Sequence, residues 1–94
     1  MLIGKVVGNI WATRKDKGLN GLKLLVIKPI DYYTEGDFPT LVAADFIGAG
    51  VGETVLVATG SSARKVLGRD KSPIDATVVG ILDIVEVEKA NNQI

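Results

Sequence analysis

Three groups of residues have types and spacing that could do chemistry. Ser62-Ala63-Arg64-Lys65 sets a hydroxyl one helical turn from an amine, the spacing of a serine nucleophile with a lysine base. Gly48-Ala49-Gly50-Val51-Gly52 is dense enough in glycine to suggest a loop that cradles phosphate. Asp45 and Asp83 each stand between apolar neighbours, where a carboxylate can be tuned for acid–base work.

None of the three acquires the rest of a catalytic set. Serine–lysine enzymes of the penicillin-interacting kind are much larger and need K-T-G and S-D-N motifs, which this chain lacks. A dinucleotide loop needs G-x-G-x-x-G between a strand and a helix. Here the spacing is G-x-G-x-G, and the following "ETVLVA" reads as strand. The glycines are therefore read as a tight strand-to-strand connection that needs positive φ or close backbone approach. Ser61 and Ser62 are read as helix caps, with Lys65 solvated. Asp45 and Asp83 are expected to be paired structurally, with Arg64 as candidate partner within or between subunits, because its planar fork suits a carboxylate. The 94 residues include neither cysteine nor histidine, which excludes disulfides, thiolate nucleophiles, Cys/His zinc sites and imidazole catalysis. No cofactor or metal is expected.

Composition points to contact rather than chemistry. Hydrophobic residues make up 47% of a chain long enough for only one small domain, more apolar side chain than so small a volume buries easily. The surplus predicts a partner surface, most simply a copy of the same chain. Eleven basic and eleven acidic residues cancel, so there is no overall basic field for nucleic acid, and 5% aromatics leave few base-stacking candidates. No segment approaches the roughly 20 apolar residues of a membrane span. The N-terminus has no leader-like pattern, so a soluble cytoplasmic protein is expected.

The elements that must position these residues are mostly strands. "LIGKVVGNIWATR" (Leu2–Arg14) reads as a long strand, bent or bulged at Gly4 and Gly8. A charged turn, Arg14–Gly21, joins it in a hairpin to "GLKLLVIKPID" (Gly21–Asp31), with Pro29 placed near a strand end or at an edge. "DYYTEGDFPT" is an exposed loop, and "TLVAADF" and "ETVLVATG" flank the glycine stretch as third and fourth strands. "SSARKVLG" predicts a helix of about two turns ended by Gly68. "IDATVVGILDIVEVE" (Ile74–Glu88) predicts a long last strand. The fold class is all-β with one short helix: a small OB-like five-stranded β-barrel forming a single domain over residues 1–88, with residues 89–94 a polar tail. The second and last strands are apolar on both faces, as at Leu24-Leu25-Val26-Ile27 and Val78-Val79. One short helix is not expected to cover those second faces, which predicts that neighbouring subunits do.

The combination "AADFIGAGVGETVLVATGSSAR" followed by "SPIDATVVGILD" resembles the vertex proteins of bacterial microcompartment shells, the family typified by ethanolamine-utilisation and carboxysome pentamer proteins. "IGKVVGNIWATRK" and "GLKLLVIKPID" are similar to that family's first two strands, so the resemblance covers about Leu2 to Val87. It implies an OB-like barrel that assembles as a homopentamer, caps fivefold corners among hexameric shell proteins and leaves a narrow opening on the axis. It implies location in a cytoplasmic shell and no reaction. Under it, Gly48, Ala49, Gly50, Val51 and Gly52 are assigned to the axis, and Asp45, Ser61, Ser62, Arg64, Asp75 and Asp83 to framework or interface. A nucleic-acid-binding OB module is the alternative that the fold class alone permits.

Overall fold

The computed structural model describes residues 1–12, 15–69 and 71–88. Five strands, β1 (Leu2–Ile10), β2 (Lys23–Pro29), β3 (Leu41–Asp45), β4 (Thr54–Thr59) and β5 (Ala76–Leu82), close into a barrel in the order β1-β2-β3-β5-β4. The single helix, α1 (Ser61–Leu67), lies between β4 and β5. All pairings are antiparallel except β3 with β5, which is parallel and short, at Ala44↔Thr77 and Asp45↔Val78. The predicted fold class is the observed one.

Alternation builds the inside. Val6, Leu25, Ile27, Ala43, Val55, Val57, Ala76 and Val78 point inward from all five strands and form the core. Ala49 joins them from the β3–β4 loop, fully buried. Gly4 lets β1 and β2 approach closely: a Cβ there would lie 3.0 Å from the Lys28 carbonyl oxygen and against the Ile27 side chain. The ladder register of β1 on β2 shifts between Val6 and Gly8, the bulge that the glycine spacing predicts. Pro29 closes β2 as its last residue, where a missing donor does least harm.

The structure shortens two strands. The first ends at Ile10, whose register partner Leu24 lies near the start of β2; the expected end, Thr13-Arg14, lies outside the described residues. The last strand begins at Ala76 and stops at Leu82 rather than Glu88, because Leu82 faces Thr54, the first residue of β4, and no partner strand extends further. The polar tail at 89–94 also lies outside the described residues. The β1–β2 turn contains one 3-10 turn, Lys17–Leu19, capped by the Asp16 carboxylate, which accepts the Gly18 N–H at 2.7 Å.

Helix α1 covers more than expected. The outward-facing Leu24 and Ala44 are buried beneath Ala63 of the helix and Ile74, with Ile10, Leu19, Leu22 and Leu67 packed around them. Thr77, fully buried on the outer side of β5, donates its hydroxyl to the Ala63 carbonyl at 3.0 Å and ties the helix to the barrel. The second face of β2 is thus covered partly within the chain. The expectation that one short helix cannot do this is corrected in part: seven residues cover Leu24 and Ala44, because small Ala44 and Ala63 allow close approach, while Val26 is not among the residues beneath the helix.

Gly68 ends the helix in the left-handed conformation, φ 70 and ψ 25, donating to the Arg64 and Lys65 carbonyls as predicted. The start differs. The N-cap is Gly60, at φ 67 and ψ −145, and no side chain caps the helix. The chain turns sharply out of β4 there, in a backbone conformation that side chains rarely adopt, and the Gly60 N–H bonds to the Asp75 carbonyl at 2.8 Å. Ser61 and Ser62 consequently fall inside the first turn with exposed side chains, and are not caps.

Candidate assembly surfaces

The glycine stretch is held by one buried carboxylate. Asp45, only 4% exposed at the end of β3, turns its side chain back onto the loop. Its Oδ1 accepts the N–H of Ile47 at 3.0 Å, its Oδ2 that of Ala49 at 2.9 Å, and both oxygens share the N–H of Gly48 at 3.2–3.3 Å. Lys23 completes the knot: its Nζ donates to the Ala49 carbonyl at 2.7 Å and lies 3.6 Å from Asp45 Oδ2. Gly48 and Gly52 adopt φ of 101 and 96, so the loop does need the positive φ predicted for it. Glu53 accepts the Gly50 N–H at 2.7 Å, and the loop's far end joins β1 through Gly52 N–H to Val6 O and Val6 N–H to Glu53 O.

Asp45 is therefore satisfied by backbone donors and Lys23, not by Arg64. Within the chain Arg64 meets neither Asp45 nor Asp83; its Nη1 donates to the Ile74 carbonyl at 3.1 Å and anchors the segment after the helix. Asp83 is exposed just past β5 despite its apolar sequence neighbours, and Asp75 is exposed too. Of the assigned loop residues, Ala49 is buried in the core, Gly50 is half-buried, and Gly48, Val51 and Gly52 face outward. Sequence reasoning missed Lys23; its place at the start of β2, opposite Asp45 in the β2–β3 register, is visible only once the strands are paired.

The residues singled out for chemistry are not brought together among the described residues. Ser62 and Lys65 are both exposed on α1 with no third group beside them, and among the described residues no cluster of three or more His, Cys, Asp or Glu gathers. No helix of the described residues is long and apolar enough to cross a membrane.

What remains notable is apolar surface. On one flank, Val26 pairs with Val42 across β2 and β3 and with Gly8 of β1, next to the bulged Val7; Val7 and Val42 are exposed. On another, Ile3 pairs with Leu56, and Leu56 with Gly80, across β1, β4 and β5. At the end of the barrel bearing the glycine loop, Trp11, Phe46, Ile47 and Val51 are exposed. Exposed aliphatic and aromatic side chains gathered in this way on one small domain are the kind of surface that suits contact with another protein.

Comparison with known proteins agrees. Residues 1–83 match the family model described as ethanolamine utilisation protein EutN/carboxysome. The chain belongs to the EutN/CcmL family. It is 49% identical over 86 residues to the bacterial microcompartment shell vertex protein GrpN of Rhodospirillum rubrum, covering 92% of this chain and 97% of that one. The solved structure of the pentameric microcompartment shell protein GrpN from the same organism superposes with a TM-score of 0.81 at 45% identity, over 94% of this chain and 100% of that one. CcmL of Gloeobacter violaceus superposes with a TM-score of 0.84 at 42% identity, over 94% and 91% of the two chains.

Proposed function

We propose that this chain is a structural vertex protein of a bacterial microcompartment shell, five copies of which form a ring that caps a fivefold corner. The observation that carries the reading is the near full-length match to a pentameric shell protein, at 45% identity over 94% of this chain and all of that one. The two apolar flanks support it physically. They differ in composition and share only β1, one continuing onto β2 and β3 and the other onto β4 and β5, so one flank of a copy meets the other flank of the next, a head-to-tail contact that generates a ring when the rotation closes.

The chemistry of such a protein is geometry. A flat sheet of hexameric units closes into a polyhedron only when fivefold units replace hexamers at its corners, so the partners around the ring are hexameric shell proteins and the chain is not an enzyme. The glycine loop, Gly48 to Gly52, lies toward the axis, where five copies crowd and small residues are an advantage.

Native mass spectrometry of the purified chain tests the reading. The expected result is a dominant species at five times the 9.9 kDa protomer mass. Monomer alone across the micromolar range overturns it.

A further inference from the structure

Beyond β5 the chain carries a segment built like a strand that has no strand to join. Ile84-Val85-Glu86-Val87-Glu88 is rich in β-branched residues and alternates at its end, a pattern that suits a half-buried extended segment. The register of β5 on β4 finishes at Leu82, and among the described residues Ile84–Glu88 make no backbone hydrogen bond to the barrel. Ile84 is 76% exposed, and Val87 is exposed as well. The family model's match ends at Asp83, immediately before this arm.

The same molecule holds a cleft of matching character. Ile10, Trp11, Leu22 and Val51 line a groove of about 500 Å³ between the end of β1, the start of β2 and the glycine loop. Lys15 and Lys23 stand at it, and none of Asp83–Glu88 is among its lining residues. Trp11, at 91% exposed, forms an aromatic wall with nothing upon it. Arm and groove are complementary in both respects that matter. The arm offers aliphatic side chains with two carboxylates and no base; the groove offers apolar walls with the Lys15 ammonium at its rim, while Lys23 is already held by Asp45 and the Ala49 carbonyl.

We propose that the arm Ile84–Glu88 of one copy docks in the Trp11 groove of the neighbouring copy, clasping the ring. The inference rests on the ring reading above and adds to it the residues that lock adjacent subunits. Extended, five residues span about 17 Å, enough to leave one small barrel and lie along the next. Val85 and Val87, which share one face of the extended arm, shed water against Trp11, Leu22 and Val51, while Glu86 and Glu88, on the other face with Ile84, reach toward Lys15 at the groove's rim. The contact is heterologous, arm into groove, and repeats around a closed ring without a free end.

The chain has a single tryptophan, so Trp11 fluorescence reads the groove directly. Full-length chain is examined by native mass spectrometry and by acrylamide quenching of Trp11 on the same samples. The expected result is a fivefold species with blue-shifted, shielded Trp11. Val85→Asp/Val87→Asp is expected to red-shift the emission, restore quenching to that of a free indole and raise the concentration needed for assembly at least about tenfold, which corresponds to roughly 1.4 kcal/mol. Glu86→Lys/Glu88→Lys is expected to lose shielding and to regain it when combined with Lys15→Glu, a recovery that a misfolded arm variant would not show. A fivefold species whose Trp11 is fully quenchable, or whose shielding survives both arm variants, overturns the clasp while leaving the ring intact. A monomeric parent chain overturns both.

Discussion

Asp45 is the residue whose replacement distinguishes a structural account of the glycine loop from a catalytic one. Its two oxygens accept from Ile47, Gly48 and Ala49, and Lys23 lies beside it. In Asp45→Asn one oxygen becomes an amide donor, and no flip of the amide rescues the site, because both original oxygens face N–H groups. Either Ile47 or Ala49 loses its acceptor. A hydrogen bond to a charged group is worth about 1.5–3 kcal/mol, and a buried donor left without a partner costs about 1–3 kcal/mol. Asp45→Asn is therefore expected to destabilise the protomer by about 2–4 kcal/mol, and Asp45→Ala, which abandons all three donors, by about 3–5 kcal/mol. That is a large share of the roughly 5–15 kcal/mol that holds a small domain together. At about 4–8 °C per kcal/mol for a domain of this size, Tm falls by more than 10 °C. Lys23→Met, which removes a half-exposed partner, is expected to cost about 1 kcal/mol or less from the pair itself. Asp83→Asn, on an exposed carboxylate, is expected to stay within about 0.5 kcal/mol. Chemical denaturation at one fixed protomer concentration measures the series, since assembly makes apparent stability concentration-dependent. Amide hydrogen exchange at residues 47–49 locates the loss. An Asp45→Asn chain within about 0.5 kcal/mol of the parent, or no more affected than Asp83→Asn, would refute the reasoning.

Gly50 is the loop glycine that the protomer does not itself require: its φ is not positive, and a Cβ there would meet only the Glu53 carboxylate at an ordinary 3.5 Å. Gly50→Ala should leave monomer stability unchanged, while Gly50→Trp should block the fivefold species in native mass spectrometry; intact assembly of the tryptophan variant removes the loop from the axis. The Lys28 ammonium, hydrogen-bonded to Asp37 at 2.8 Å and adding its charge, holds that carboxyl below its ordinary 3.8. A lowered folded-state pKa gives stability that is present above 3.8 and lost as pH falls through the lower value. A carbon-detected NMR titration should accordingly find the Asp37 midpoint below 3.8 in the parent and nearer 3.8 in Lys28→Met, and identical midpoints would show that the pair is not formed in solution.

The features legible in the sequence were those decided by neighbours along the chain. The β1–β2 hairpin, the bulge near Gly8, the position of Pro29 and the left-handed stop at Gly68 each follow from one residue's own conformational preference. The misreadings involve groups brought together from far apart. Asp45 looked like half of an ion pair with Arg64 because a carboxylate among apolar residues must find donors. Those donors turned out to be the N–H groups of Ile47, Gly48 and Ala49, and they converge only because Gly48 adopts positive φ. Serine at the start of a helical stretch is ordinarily a cap, yet the turn out of β4 demands a left-handed residue one position earlier, and Gly60 takes the place. Ile84–Glu88 has a strand's composition, but a strand also needs a partner, and the end of β4 is not written in those five residues.

The helix decides which surfaces are left for assembly. By covering Leu24 and Ala44, and holding Thr77 through its hydroxyl, α1 removes the middle of the outer wall from contention. What remains uncovered is divided between the Val7–Val26–Val42 flank and the Ile3–Leu56–Gly80 flank. A symmetric pair would need one patch to fit itself; two unlike patches that share only β1 instead favour a contact that advances by a fixed rotation from copy to copy. The arm and its groove follow the same logic at the barrel's end, being unlike surfaces that one chain possesses together and does not join to each other. A protein in which each such surface has its complement elsewhere on the same chain needs no second component to form its ring. It also needs no net charge: attraction between copies comes from local complementarity, and eleven charges of each sign leave no long-range repulsion for the ring to overcome.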